Sequence, residues 1–336
     1  MPHTVAAKVR EWARDALTGQ DIQSAYVKID YLAKRLFHQY APTSGPCPSF
    51  DVRLRDWLKS APLDEDQQAM FRLVPKLFFV GHDEFTALYR AAFLGPVPRW
   101  LVDVCSLSLT QCDLNDVLAG LIHRTWFCPI TDSMNIAHFH HVNRIEGADY
   151  RPDWRSLACF GSTPRVSQYM QDSHYDRLVL LEDFIGSGTQ MEEAVDFALT
   201  LPDSIQILVV PLIVCPRGLL TCRDLERRHN RPGSPQRIRF EPVLSLPARA
   251  FVDPKPNMGE DPSWQSLRHL VNSLYSLVTA GRFPASPHSG APYGPYGYRQ
   301  TGGLIVMYSN CPDNTLPLIH HTSEQWSPLF PRSSRV

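Results

Sequence analysis

The segment with the clearest chemical content is Leu178-Val-Leu-Leu-Glu-Asp-Phe-Ile-Gly-Ser-Gly-Thr-Gln190. Its four leading apolar residues predict a buried strand, and the small residues near its end predict a turn that opens a helix. In such a turn the backbone N–H groups can approach an anion closely, and the dipole of the following helix favours a phosphate there. The residues that we expect to bind this phosphate are Gly186, Ser187, Gly188, Thr189 and Gln190.

Two adjacent carboxylates, Glu182 and Asp183, stand between the predicted strand and the turn. We expect them to end the strand near solvent, where they can accept hydrogen bonds from the vicinal hydroxyls of a ribose. The segment would then hold a ribose 5-phosphate at both ends. It contains neither the Gly-Lys-Ser/Thr of a Walker A loop nor the G-x-G-x-x-G of a dinucleotide-binding turn. The alternative is a glycine-rich turn whose acids only face solvent.

The part of the chain that must position this segment alternates short apolar runs with helical patterns. The predicted strands are Thr125–Ile130, Leu178–Leu181, Ile205–Val214, Ile238–Leu246 and Leu304–Tyr308. Helices are predicted between them, most clearly over Met191–Leu201 and Trp264–Ala280. This alternation predicts an α/β fold with a mainly parallel sheet, in which ligands bind beyond the carboxyl ends of the strands. We assign residues 121–336 to this α/β domain.

The first 120 residues are predicted to form a helical N-terminal domain. Apolar residues recur at helical spacing after Asp21, and further helices are predicted over Asp51–Ser60, Asp64–Leu73, Asp83–Phe93 and Leu114–His123. Nothing in this region specifies a reaction. Near the other end of the chain, the Pro/Gly/Tyr-rich segment Phe283–Gly303 predicts a long irregular connection, either a linker or a lid.

Two further loops carry polar residues at the ends of predicted strands. Thr131, Asp132 and Ser133 lie between a strand and a helix, where capping of the helix alone can account for them. The segment Asn310-Cys-Pro-Asp-Asn314 follows the last predicted strand. We expect it to leave the sheet beside the phosphate turn, where Asn314 could offer its amide to a base or a ribose. An ordinary turn explains the same residue types equally well.

The composition excludes several classes of protein. Lys and Arg total 33 against 34 Asp and Glu, a balance that argues against binding nucleic acid over the whole surface. No apolar run approaches the roughly 18 residues that span a bilayer, and the first residues show no apolar secretory stretch. The eight cysteines include no C-x-x-C pair, which favours reduced thiols. We therefore expect a cytoplasmic protein that has no membrane partner.

The segment from Leu178 to Gln190 resembles the phosphoribosyl diphosphate loop of type I phosphoribosyltransferases. The shared features are four apolar residues, two acids and a small-residue phosphate turn, in that order. The sequence departs from that pattern at two positions. Gly186 stands where purine-using members often carry a catalytic Asp, and Gln190 stands where many members have Thr.

The resemblance implies phosphoribosyl diphosphate or a related nucleotide as the ligand and Mg²⁺ as the cofactor. Glu182 and Asp183 would be the catalytic pair that holds the ribose hydroxyls. The loop from Thr131 to Ser133 would lie on the pyrophosphate side, with Thr131 and Ser133 contacting the substrate. Asp132, together with Asp183, would serve the metal, because Mg²⁺ commonly uses one or two carboxylates plus phosphates and water.

Three segments together resemble a divergent bacterial group of phosphoribosyltransferase-like proteins with a helical N-terminal region. They begin at Thr125, Glu182 and Asn310, and the likeness continues through Trp326-Ser-Pro-Leu-Phe-Pro-Arg332. Some members of that group accompany retron reverse transcriptases or other phage-defence genes. The resemblance therefore implies transfer of a phosphoribosyl group to an unknown acceptor in a defence system. Two alternatives are a nucleotide sensor without turnover, and an effector that docks a reverse transcriptase with its DNA.

Overall fold

The computed structural model describes residues 3–15, 19–42, 47–145, 163–230, 236–256, 262–282 and 293–333. Cys159 and the first part of the predicted irregular connection, residues 283–292, lie outside these ranges. The seven cysteines inside them are all free thiols. No helix in the described ranges is both long enough and apolar enough to cross a membrane.

The described elements, in chain order, include thirteen α-helices and seven strands. The helices are α1 (His3–Trp12), α2 (Gly19–Arg35), α3 (Phe50–Ser60), α4 (Asp64–Leu73), α5 (His82–Leu94), α6 (Pro96–Val104), α7 (Leu114–His123), α8 (Ile136–Val142), α9 (Thr163–Asp172), α10 (Thr189–Ala198), α11 (Pro216–His229), α12 (Pro262–Val278) and α13 (Pro317–His320). The strands are β1 (Phe78–Val80), β2 (Thr125–Pro129), β3 (Arg177–Ile185), β4 (Gln206–Val214), β5 (Ile238–Phe240), β6 (Leu244–Ser245) and β7 (Ile305–Met307).

The chain divides into two compact units. The first joins residues 1–82 to residues 249–336, and the second, which we call the sheet unit, comprises Asp83–Ala248. Each unit has its own cluster of buried apolar side chains. The domain boundary near residue 120 was drawn from a change in sequence pattern and stays a prediction. The contacts divide the chain differently from this prediction, because residues 249–336 pack with residues 1–82.

The sheet unit contains a parallel sheet in the order β2-β3-β4-β5, and β6 pairs with the same edge of β4 as a short extension. Strands β3 and β4 are paired along their whole length, from Arg177 opposite Gln206 to Ile185 opposite Val214. Both are buried almost throughout, as expected for parallel strands covered on both faces. The predicted α/β fold with a mainly parallel sheet is therefore confirmed.

Strand β4 explains why the predicted strand Ile238–Leu246 is divided into β5 and β6. Pro211 lies in the middle of β4 and has no N–H group to donate. Its carbonyl accepts a hydrogen bond from Val243 N at 2.9 Å, in the interval between the two short strands. Because the hydrogen-bond ladder beside β4 lacks one donor at Pro211, the predicted strand next to it is interrupted there.

The other unit contains β1 and β7, which pair in parallel as a separate two-stranded sheet. The expectation that β7 belongs to the sheet of the phosphate turn is wrong. Its partner, Phe78–Val80, is too short to be recognised as a strand between two helical patterns. The core of this unit is formed mainly by side chains of its helices, and segments near the end of the chain complete it.

Candidate functional site

The two acids lie inside β3, where the sequence had placed them after it. The strand continues to Ile185, and Glu182 is opposite Pro211 in β4. Only 4% of each acidic residue is exposed. The expectation that Glu182 and Asp183 end the strand near solvent is therefore wrong, because β4 is long enough to pair with the strand beyond them.

The buried carboxylates accept hydrogen bonds from the β2–α8 loop, which we define as Ile130–Asn135. Thr131 donates twice to Glu182, through its backbone N–H at 2.9 Å and through Oγ1 at 2.7 Å. Ser133 Oγ donates to Asp183 Oδ1 at 2.9 Å, and the two hydroxyl oxygens lie 2.5 Å apart. The structure thus brings together four of the residues that the sequence predicted for the site.

The glycine turn, which we define as Gly186–Gly188, connects β3 to α10. Gly188 has a φ of +91°, a conformation that is strained for any residue with a Cβ. A Cβ at this position would lie 2.9 Å from Cβ and Cγ2 of Thr221. The backbone conformation and the lack of room for a side chain therefore both require glycine at position 188. Thr189 and Gln190 follow as the first two residues of α10.

Helix α11 packs directly against the glycine turn. A Cβ at Gly218 would lie 2.9 Å from the carbonyl oxygens of Ile185 and Gly186, so a larger residue would push the helix away. Thr221 Oγ1 donates to the Ser187 carbonyl at 3.1 Å and to the Arg217 carbonyl at 3.3 Å. The carbonyls of Gly186 and Ser187 therefore both face α11.

This orientation of the carbonyls determines where the N–H groups of the turn point. The described peptide bonds are all trans, and in a trans peptide the C=O and N–H groups point in opposite directions. The N–H groups of Ser187 and Gly188 consequently point away from α11. Within the described ranges, the N–H groups of Ser187, Gly188 and Thr189 donate to no protein acceptor. The turn thus presents consecutive backbone donors at the start of a helix, the arrangement that binds anions.

Two cysteines near the glycine turn are packing residues. Cys215 N donates to the Ile185 carbonyl at 2.9 Å, and burial raises the pKa of its thiol far above its usual range. Burial also raises the pKa of the Cys222 thiol to about 12, and its sulfur lies 3.4 Å from Met191 Sδ. Both thiols are protonated at neutral pH, so neither supplies a thiolate nucleophile.

A family model, PRTase-CE, matches residues 54–332. The chain belongs to the PRTase-CE family. It is accordingly a phosphoribosyltransferase-like protein, as the resemblance of its glycine turn implied. No curated protein and no solved structure matched the chain.

The remaining predicted site residues of this PRTase-CE family member lie in both units. Asp132 lies in the β2–α8 loop and is exposed. Asn314 lies in the other unit, where its Nδ2 donates to Thr301 Oγ1 at 2.9 Å and to the Tyr298 carbonyl at 3.4 Å. These contacts give Asn314 a structural role, and its contact with a ligand stays a prediction.

The carboxylates of the sheet unit suit Mg²⁺ only in combination with phosphates. Among the described residues, no group of three or more His, Cys, Asp and Glu side chains could hold a metal ion. Asp132 and Asp183 could contribute oxygen ligands, and Mg²⁺ usually completes its shell with substrate phosphates and water. Binding of Mg²⁺ by these carboxylates therefore stays a prediction.

Sequence reasoning missed Gly218 and Thr221. Pro216 comes two residues after β4 ends and stands at the first position of α11, which is a recognised start signal for a helix. That signal could have predicted the helix. It could not have predicted the close approach to a turn thirty residues earlier, because no local pattern encodes it.

We predict that Gly188→Ala destabilises the sheet unit. The substitution combines a positive φ with a contact at 2.9 Å, and should lower the stability by about 2 kcal/mol or more. Gly120→Ala is the matched control, because this exposed glycine of α7 has no atom within 4 Å of the Cβ position. It should raise the stability by up to about 1 kcal/mol. Thermal denaturation measures both, and equal midpoints for the two variants would contradict the constraint at Gly188.

Proposed function

We propose that the sheet unit binds phosphoribosyl diphosphate, or a related ribose 5-phosphate nucleotide, together with Mg²⁺. The observation that carries the proposal is the row of N–H donors at Ser187, Gly188 and Thr189, which directly follows the strand that holds Glu182 and Asp183. The turn would bind the 5-phosphate, and the acids would accept hydrogen bonds from the ribose hydroxyls. Membership in a phosphoribosyltransferase-like family supports the same assignment.

The proposed reaction transfers the phosphoribosyl group to an acceptor. The bond between C1 of the ribose and the diphosphate oxygen breaks, and the diphosphate leaves with the electron pair. The acceptor forms a new bond to C1 and releases its proton to solvent. The protein would contribute mainly by holding the ribose and the phosphate in place and by stabilising the charge that develops.

A nucleotide sensor without turnover is the second candidate function. Gly186 occupies the position at which purine-using phosphoribosyltransferases often carry a catalytic Asp, so the turn itself supplies no general base. Such a base typically contributes about 10²- to 10⁴-fold to a rate. Its absence favours either slow transfer or binding alone.

We also propose the biological setting that the resemblance implies, a bacterial phage-defence system. In this proposal the protein acts with a retron reverse transcriptase and its DNA, which dock on the helical N-terminal region. Co-purification with that nucleoprotein tests the partner separately from the chemistry.

We predict that Gly188→Glu abolishes binding of phosphoribosyl diphosphate. The added side chain would clash with Thr221 of α11 and displace the row of N–H donors, and its negative charge would oppose a nearby phosphate, whereas the unchanged protein should bind in the presence of Mg²⁺. Gly120→Glu is the matched control, because it adds the same charge to the same unit at an exposed helical position. Isothermal titration calorimetry measures the affinity. Unchanged binding by Gly188→Glu would exclude the glycine turn as the phosphate site.

A milder test uses Thr221, which fixes the orientation of the Ser187–Gly188 peptide. Thr221→Val removes the hydrogen bond to the Ser187 carbonyl and keeps the side chain's shape, so it frees the peptide to rotate. We predict about fivefold weaker binding of phosphoribosyl diphosphate, corresponding to one hydrogen bond of about 1 kcal/mol. Thr221→Ser keeps the hydroxyl and should retain most of the affinity. A loss in Thr221→Ser as large as that in Thr221→Val would contradict a specific role of the hydroxyl and show that the site depends on packing at this position.

We predict slow Mg²⁺-dependent release of diphosphate from phosphoribosyl diphosphate, and its loss in the double variant Glu182→Gln, Asp183→Asn. Because both acids are buried and hydrogen-bonded, the double variant should also denature at a lower temperature. The assay therefore runs below that temperature, with circular dichroism as the control for folding. Tight binding without release, across a panel of bases, amines and nucleic acids, would leave the sensor as the function.

A further inference from the structure

The β2–α8 loop places two hydroxyl groups where the proposed function requires two hydroxyls of the ligand. Thr131 Oγ1 lies 2.7 Å from Glu182 Oε1, and Ser133 Oγ lies 2.9 Å from Asp183 Oδ1. The two hydroxyl oxygens are themselves within hydrogen-bond distance of each other, at 2.5 Å. A vicinal diol presents its two oxygens in the same way, as neighbours that can each donate one hydrogen bond. The loop therefore reproduces the donor pattern of a ribose.

Burial makes this arrangement mutually exclusive with a bound ribose. Glu182 and Asp183 are each 4% exposed, and Thr131 is 2% exposed. Little surface of either carboxylate is open to an incoming ligand while the two hydroxyls remain in place. A ribose diol that bonds to the same carboxylate oxygens would take the places of these two hydroxyls.

The displacement requires little rearrangement of the backbone. Both hydroxyls can leave by rotation about χ1, which has alternative staggered positions. The Thr131 N–H can keep its bond to Glu182 Oε2 while the side chain turns. The loop is fixed at both ends, because Ile130 N donates to the Leu181 carbonyl at 2.8 Å and Asn135 Oδ1 accepts from His138 N at 3.0 Å.

We propose that Thr131 and Ser133 are internal competitors of the ligand, and that the structure represents the self-occupied state of the ribose subsite. This inference rests on the proposed function and adds its regulation. The sequence prediction gave these two residues a direct contact with substrate, which would have the opposite effect on affinity. With an internal competitor, the apparent affinity equals the intrinsic affinity multiplied by the fraction of molecules in which the subsite is open.

The test measures binding of ribose 5-phosphate by calorimetry for the unchanged protein, Thr131→Val, Ser133→Ala and the double variant. Both substitutions remove a hydroxyl and nearly preserve volume. We expect each to tighten binding, with a gain of about tenfold in the double variant, because the ligand no longer displaces a hydrogen bond to a charged group. Thr131→Ser keeps the hydroxyl and should bind as the unchanged protein does.

Binding of a second ligand distinguishes competition from a general effect of the substitutions on the site. The sugar 2-deoxyribose 5-phosphate has only one of the two neighbouring hydroxyls, so it needs to displace only one of the competitors. Its affinity should therefore rise with one of the two single substitutions and not with the other. If the double variant is too unstable to measure, the single variant Ser133→Ala shows whether the affinity rises or falls. Ser133 is only partly buried, so this substitution should perturb the fold less.

The outcomes separate this inference from the proposed function. Weaker or unchanged binding of ribose 5-phosphate in Thr131→Val and Ser133→Ala, with clear binding by the unchanged protein, would overturn the competition and leave the ribose phosphate site standing. Absence of binding in the unchanged protein and in every folded variant would overturn both. Tighter binding in the variants supports both.

Discussion

The site depends on two adjacent carboxylates that are buried in the middle of a sheet. A buried charge is tolerated only when hydrogen bonds replace the water that it has lost. For Glu182 and Asp183, part of that replacement comes from the end of the neighbouring strand, since Thr131 and Ser133 donate to them. The parallel register makes this possible, because Pro129 is opposite Leu181 and the chain leaving β2 therefore passes the acids. The same register that packs the apolar strands thus fixes the polar site.

The glycine turn depends on a second constraint, the close approach of α11. Gly218 lets the helix contact the carbonyls of Ile185 and Gly186, and Thr221 holds the Ser187 carbonyl on the same side. With the carbonyls satisfied on one side, the N–H groups must point to the other. The orientation of the N–H groups, on which the proposed anion binding rests, therefore comes as much from the helix behind the turn as from the turn's own residues. This is why a glycine at 188 with a positive φ is required by both conformation and packing.

The sequence predicted those features that local patterns encode, and it failed where distant parts of the chain meet. The order of strand, glycine turn and helix was predicted correctly because each part has its own pattern of residue types, but the acid pair lies inside the strand and not after it. The burial of Glu182 was not, since it depends on how far β4 extends on the other side. Three-residue β1 and the division of β5 from β6 also escaped prediction, the latter because it follows from Pro211 in a neighbouring strand. Thr221 carries no local motif, and its role appears only when α11 lies against the turn.

Two features of the site, the absence of a general base at Gly186 and the occupation of the ribose subsite by the protein's own hydroxyls, are consistent with each other under the proposed function. Gly186 supplies no general base, so the acceptor must be a good nucleophile by itself or receive a base from a partner. Departure of the diphosphate needs no such base, and an always open subsite would therefore expose phosphoribosyl diphosphate to wasteful hydrolysis. A ribose subsite that is occupied by the protein's own hydroxyls lowers the affinity for the substrate in the absence of other factors. Under the proposed function, restricted occupancy of the ribose subsite would limit the hydrolysis of phosphoribosyl diphosphate when no acceptor is present.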